Sequence, residues 1–220
     1  FEEVQQAFEL QDFDPVSVRH GIDRLRLGNF SGEVIWEAPY DLVEFEESNQ
    51  VIEVLEHAAP DITEEVRAIV GEAEKFPDSD ALTNKEGLWS FLPFFTDSAI
   101  SERLSDLCPR TSEVLQSLRP NLLLGFSFIS VLSGSSAIAP HRGSTSLRQR
   151  YHLGVPVPEP NSAKIRVGEK WTPWVEGKAF GFNDSIEHEV VNDGVADRVA
   201  LIVDVWPSTL SEEIISGLLR

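Results

Sequence analysis

His141 closes the run SAIAPH ahead of the turn RGSTS, and His188 stands in FNDSIEHEVVND just before another strand-like stretch. Imidazoles at loop–strand junctions of a β-structure can converge at its open end, where their nitrogens suit a borderline divalent metal. Between them runs HRGSTSLRQRYHLG, residues 141–154, with three arginines and two histidines in fourteen residues. Alternation along a strand puts Arg148, Arg150 and His152 on one face, and Gln149, Tyr151 and Leu153 on the other. Facing inward, the two guanidinium groups and the imidazole need an anion beside them; facing water, they form an exposed basic edge. Arg198, ten residues beyond His188, opens RVALIVDVW and could reach an anionic co-substrate. These residue types support a metal beside a carboxylate-binding patch. His20 and His57 have no partner spacing and read as surface or structural residues.

Strands must hold that patch. After Pro120, LLLGFSFISVLS alternates, with Leu124, Phe126, Phe128, Ser130 and Leu132 on one face. LRQRYHLGVPV, AKIRVG, KAFGFN, HEVVND and DRVALIVDVW follow as short strand-like runs separated by Gly, Pro, Asn or Asp, the pattern of an antiparallel sandwich or barrel. The first half reads as helices and loops. Ile62, Val66, Ile69, Val70 and Ala73 repeat at helical spacing, with Pro60 and Asp61 as the entry and Pro77 as the exit. SAISERLSDL gives a second helix through Ile100, Leu104 and Leu107, and TSEVLQSL a third. GLWSFLPFF is an aromatic-rich segment suited to packing on something larger. At the end, STLSEEIISGLLR predicts a helix with Thr209 and Glu212 at capping-box spacing. The expectation is an α+β fold in a single domain over 1–220: a mainly helical and loop part over 1–120, a β core over 121–206 and a C-terminal helix over 207–220.

The 220 residues carry 18 Lys+Arg against 37 Asp+Glu, a net charge of −19. That balance argues against nucleic acid and anionic membrane surfaces, which favour basic faces. No apolar run approaches the ~20 residues that span a bilayer. FEEVQQAFEL has neither a basic nor an apolar signal region. The single Cys108 excludes an intrachain disulfide and fits a reducing compartment, so the expectation is a cytoplasmic protein without a membrane or nucleic-acid partner.

At these residues the chain resembles the aspartyl/asparaginyl β-hydroxylase family of Fe(II)- and 2-oxoglutarate-dependent oxygenases. The matching text is PHRGSTSLRQRYHLGVPVP, KIRVGEKWTPWVEGKAFGFNDSIEHEVVND and DRVALIVDVWPSTL, with a weaker match through WSFLPFF and CPRTSEVLQSLRP. The resemblance implies a double-stranded β-helix, a distorted jelly roll, with flanking helices mostly from the N-terminal half. It implies that His141 and His188 ligate Fe(II), and that Gly143 stands where the wider class places a metal-binding carboxylate. It further implies that Arg198 and Ser130 hold the distal carboxylate of 2-oxoglutarate, with Arg150 and His152 near the metal-proximal one. Arg148 and Arg150 become candidates to grip a substrate.

The implied reaction uses O2 and 2-oxoglutarate to hydroxylate an unactivated carbon, most naturally the β-carbon of an Asp or Asn residue in a peptide or a small amino-acid-like substrate. The competing readings are an oxygenase acting on a lipid or other small molecule, and a non-catalytic β-sandwich that binds a carboxylate. Trp174 and Trp206 read as core packing, Asp184 and Asp204 as structural carboxylates in a turn and a strand, and Gly154 and Gly177 as turn glycines.

Overall fold

The computed structural model of the chain describes residues 49–75, 88–96, 99–118, 127–143, 148–157 and 159–207. Helix α1 spans Gln50–Ile69 and runs into a 3-10 turn, Val70–Glu72. Strands β1 (Glu74–Lys75), β2 (Trp89–Pro93), β3 (Phe95–Thr96) and β4 (Ala99–Ile100) precede α2 (Glu102–Leu107) and α3 (Pro109–Ser117). The remainder is β: β5 Ser127–Leu132, β6 Ser136–His141, β7 Gln149–Gly154, β8 Ala163–Val167, β9 Lys170–Pro173, β10 Ala179–Phe182, β11 His188–Asn192 and β12 Arg198–Val205.

The larger sheet has the order β1-β2-β5-β12-β7-β10 and the smaller one β6-β11-β8-β9, with all the strand pairings antiparallel. From β5 onward the chain passes back and forth between the two sheets. That is the winding of a double-stranded β-helix, and with α1–α3 alongside the fold class is α+β.

Two apolar layers lie on opposite faces of the larger sheet. Tyr151, Leu153, Leu201 and Val203 pack against α1 through Ile52, Leu55, Ile62 and Val66. The second layer fills the space between the sheets, with Leu132, Ile165, Val167, Trp174, Phe180, Phe182 and Ala200. Strand β12, covered on both faces, is buried at all eight positions. The phase expected for residues 148–153 therefore holds: Tyr151 and Leu153 face the helix, and His152 faces the inter-sheet layer among Trp174, Phe180 and Phe182.

The N-terminal elements differ from the sequence reading. The helix placed over 61–77 begins eleven residues earlier, at Gln50, and ends at Ile69. Asn49 is its N-cap, accepting the Ile52 N–H at 2.9 Å, and Pro60 lies inside it. An interior proline costs ~3 kcal/mol. Burial of Ile52, Leu55, Ile62, Val66 and Ile69, at roughly 1.5–3 kcal/mol each, outweighs that.

The second expected helix is shorter than its pattern. Ala99 and Ile100 pair with β3, Ser101 caps at the Leu104 N–H, and Leu107 is exposed. Helix α3 has no capping side chain of its own. Glu65 of α1 accepts the backbone N–H groups of Arg110 and Thr111, each at 2.9 Å, and the Thr111 hydroxyl at 2.7 Å.

GLWSFLPFF supplies β2, so the sheet is not confined to residues 121–206. Trp206 is only half-buried. Leu124, Phe126, His20 and the helix expected over 207–220, with Thr209 and Glu212, lie outside the described residues. Among the described residues no helix is long and apolar enough to cross a membrane.

Candidate metal and carboxylate site

His141 ends β6 and His188 begins β11, and the two are register partners across those strands. Their ring centroids are 4.2 Å apart. Each Nδ1 lies 2.8 Å from a carbonyl two residues earlier, Ala139 for His141 and Ile186 for His188. A carbonyl only accepts, so each Nδ1 carries the proton and each Nε2 keeps its lone pair, the tautomer that binds metal. Burial lowers the pKa of both rings. For His188, burial and the neighbouring His141 bring it down to about 3, so both imidazoles are neutral near pH 7. His57 is exposed on α1 and takes no part.

The arginine-rich strand is not an exposed basic edge. Arg148 and His152 are buried and Arg150 nearly so, and the anions beside them belong to the chain itself. Arg150 donates through Nε and Nη2 to the two oxygens of Asp204, each at 2.8 Å, and lies 3.3 Å from Asp184. Arg148 donates to Asp184, at 2.7 Å through Nη2. Burial would raise the Asp184 pKa, but the charges of Arg148 and Arg150 outweigh it and hold this carboxyl well below the usual range. The cluster that looked poised for external carboxylates thus already holds two internal ones. Arg142, at the entrance, donates to the Ser185 carbonyl.

Arg198 is different. Its Nη1 donates to the Ser130 carbonyl at 3.2 Å and to Ser130 Oγ at 3.0 Å. The Trp89 indole N–H also donates to that Oγ, at 3.0 Å, leaving the hydroxyl proton to be donated elsewhere. Arg198 is 2% exposed and has no carboxylate partner among the described residues; burial alone pulls its pKa down to about 9. Its guanidinium lies 4.6 Å over the Trp174 ring. Arg198 Nε, the Trp174 indole N–H and both ring nitrogens of His152 are enclosed without a hydrogen-bond partner among the described residues.

Buried polar atoms are nearly always paired, so four orphans in one patch beside two metal-competent imidazoles fit a polar anionic ligand. The residues present therefore suit a divalent metal held by His141 and His188, with a carboxylate-bearing co-substrate reaching Arg198 and Ser130. Trp174, read from sequence as core packing, belongs to this patch as well.

Gly143 is the other departure from a three-ligand site. Its N–H donates to the Asp184 carbonyl at 2.6 Å, and a β-carbon built on it would collide with the Asp184 carboxylate. Among the described residues no group of three His, Cys, Asp or Glu side chains stands in metal-holding geometry. Gly177, with φ +76°, is a turn glycine as expected. Gly154 is not: it lies within β7, where a β-carbon would strike the Val175 carbonyl.

A sequence profile described as aspartyl/asparaginyl beta-hydroxylase matches residues 56–207. The aspartate beta-hydroxylase domain-containing protein 2 of Mus musculus is 36% identical over 126 residues, 54% of this chain and 36% of that protein. The aspartyl/asparaginyl beta-hydroxylase of Homo sapiens is 29% identical over 167 residues, 74% of this chain and 22% of that protein. An ornithine lipid ester-linked acyl 2-hydroxylase of Rhizobium tropici is 38% identical over 105 residues, 47% of this chain and 36% of that protein. The chain thus spans little more than a third of these relatives at most. Among solved structures, a prolyl hydroxylase of Trichoplax adhaerens in complex with a hypoxia inducible factor peptide fragment superposes with a TM-score of 0.45 at 11% identity. That superposition covers 68% of this chain and 78% of the other, and it adds nothing to what the two sheets already establish.

Proposed function

Because the chain belongs to the aspartyl/asparaginyl β-hydroxylase family, we propose that it is an Fe(II)- and 2-oxoglutarate-dependent dioxygenase that hydroxylates an unactivated carbon. The observation that carries the reading is the pairing of two Nδ1-anchored histidines with a buried Arg198 that has no carboxylate partner among the described residues. Iron bound there would supply activation of O2, coupled to decarboxylation of 2-oxoglutarate to succinate.

His141 and His188 are the proposed metal ligands, each held in one tautomer by its carbonyl. Arg198 would meet the distal carboxylate of 2-oxoglutarate through its fork, and the Ser130 hydroxyl would donate beside it. His152, deep in the same layer, would hydrogen-bond the metal-proximal carboxylate. Arg150, whose charge bears on His141 and His152, would set the potential there. Arg148 and Arg150 remain the proposed contacts for a substrate, which would share their guanidinium groups with Asp184 and Asp204. The proposed substrate is a peptidyl Asp or Asn, hydroxylated at the β-carbon, or a small amino-acid-like compound. A carboxylate-binding module without catalysis would not need both imidazoles locked with Nε2 presented.

Succinate formation from 2-oxoglutarate, with Fe(II) and ascorbate, tests the reading in wild type and His188→Ala. Asp- and Asn-containing peptides, free amino acids and an acyl lipid are added in turn. Turnover lost in the variant supports the oxygenase, and the compound that stimulates it names the substrate class. Absence of both iron and 2-oxoglutarate binding overturns it.

A further inference from the structure

We propose that Trp174 is the positioning residue for Arg198, holding its guanidinium at the angle a dicarboxylate co-substrate requires; this rests on the co-substrate reading above. An arginine buried without an anion has little to fix it. Among the described residues, Ser130 engages its Nη1 and the indole face lies 4.6 Å from the guanidinium carbon. Desolvated cation–π contacts are the strong ones, and Trp is the strongest partner.

The same ring stacks on His152, with planes 19° apart and centroids at 5.6 Å. One indole therefore touches the residues proposed for the two ends of the co-substrate. Trp174 is fully buried, and its indole N–H has no acceptor among the described residues, so ring placement rather than a hydrogen bond is what the chain supplies there.

The main chain around Trp174 is tied to its neighbours. Trp174 N–H donates to the Ala163 carbonyl at 3.1 Å, and Gly154 lets β7 approach the adjacent Val175 carbonyl more closely than any side chain would allow. A tryptophan kept only to fill the core would need neither Arg198 nor His152 against its faces.

The experiment is calorimetric titration of 2-oxoglutarate, and of pyruvate, which lacks the distal carboxylate, in the presence of Mn(II). It uses wild type, Trp174→Phe, Trp174→Leu, Arg198→Met and the double variants. Trp174→Leu should weaken 2-oxoglutarate binding by about thirtyfold and Trp174→Phe by about fivefold, with a smaller loss for pyruvate, felt through the His152 stack. In the Arg198→Met background neither change should cost more than it costs pyruvate binding, since the arginine that adds the rest is gone.

A loss that adds in full to that of Arg198→Met, or affinity within about twofold of wild type, overturns the role of Trp174 and leaves the co-substrate reading standing. Wild type that binds no 2-oxoglutarate overturns both. Should Trp174→Leu fail to fold, the Trp174→Phe cycle carries the same outcomes.

Discussion

Gly143 and Asp184 compete for one volume: the Asp184 carboxylate fills the space into which a side chain at 143 would project. Gly143→Asp, which restores the spacing of a third metal-binding carboxylate, should therefore not create one. Overpacking and a second buried negative charge should cost about 3 kcal/mol. Urea unfolding reads the loss. A gain in metal affinity instead would mean that Asp184 yields its place.

Folded His152 and His188 have pKa values below the unfolded value of about 6.5, because burial disfavours their charged forms. Well above pH 6.5 both are neutral in either state, and pH has no leverage through them. Below it the unfolded chain takes up protons the folded chain refuses. Stability should therefore fall as pH falls, by up to about 1.4 kcal/mol per pH unit for each ring, until His188 itself titrates near 3. Asp184 adds a second loss at lower pH: its depressed pKa contributes stability above about 4 that disappears on further acidification. Thermal unfolding at pH 7.5 and pH 5 checks this, and an unchanged midpoint would mean the folded imidazoles protonate freely.

Arg150 and Asp204 form a buried bidentate pair, so Asp204→Ala should cost about 3 kcal/mol by leaving the guanidinium its contact with Asp184 but neither of these two bonds. Removing Glu176 from its exposed pair with Arg67, at 2.7 Å, should cost less than about 1 kcal/mol through the ion pair itself. Chemical denaturation of the two variants separates them. Equal losses would show that burial of the first pair is not what gives it weight.

Arg198→Met removes an enclosed cation with no anion among the described residues, so the ligand-free variant should unfold at a higher urea concentration than wild type while losing its response to 2-oxoglutarate. At one hundred times its dissociation constant the co-substrate should raise the wild-type melting temperature by about 5–10 °C, and the variant's not at all. A variant that melts lower than wild type without ligand would mean the guanidinium is compensated in the fold.

The pairing of Ser130 with Arg198 came only from the family resemblance, whereas the metal-competent pair and the shared face of Arg148, Arg150 and His152 were legible from local facts: imidazoles at strand ends, and alternation that gives side chains a face. The counter-ions of Arg148 and Arg150 were not. Asp184 lies 36 residues from Arg148 and Asp204 lies 54 from Arg150, joined through a sheet order that no spacing reveals. One signal was available: a lone Asp204 inside ALIVDVW is a charge in an apolar run, and such a charge needs a cation. Proline misled at the other end. Pro60 reads as a helix start, but the apolar stripe through Ile52 and Leu55 continues beneath it. The strand in GLWSFLPFF was hidden by its unbroken aromatic and apolar character, which carries no period to read.

Strand β12 carries Arg198 at its first position and Asp204 near its last, on the same face of an otherwise apolar run. Sliding it by two residues against β7 would keep every apolar side chain on its proper face, so hydrophobicity alone cannot select the alignment. The slide would pull Asp204 away from Arg150 and Arg198 away from Ser130, leaving enclosed charges on both sides of the ladder. The two ionic residues thus act as a vernier for the central strand, rejecting mispaired sheets during folding whether or not any ligand is ever bound.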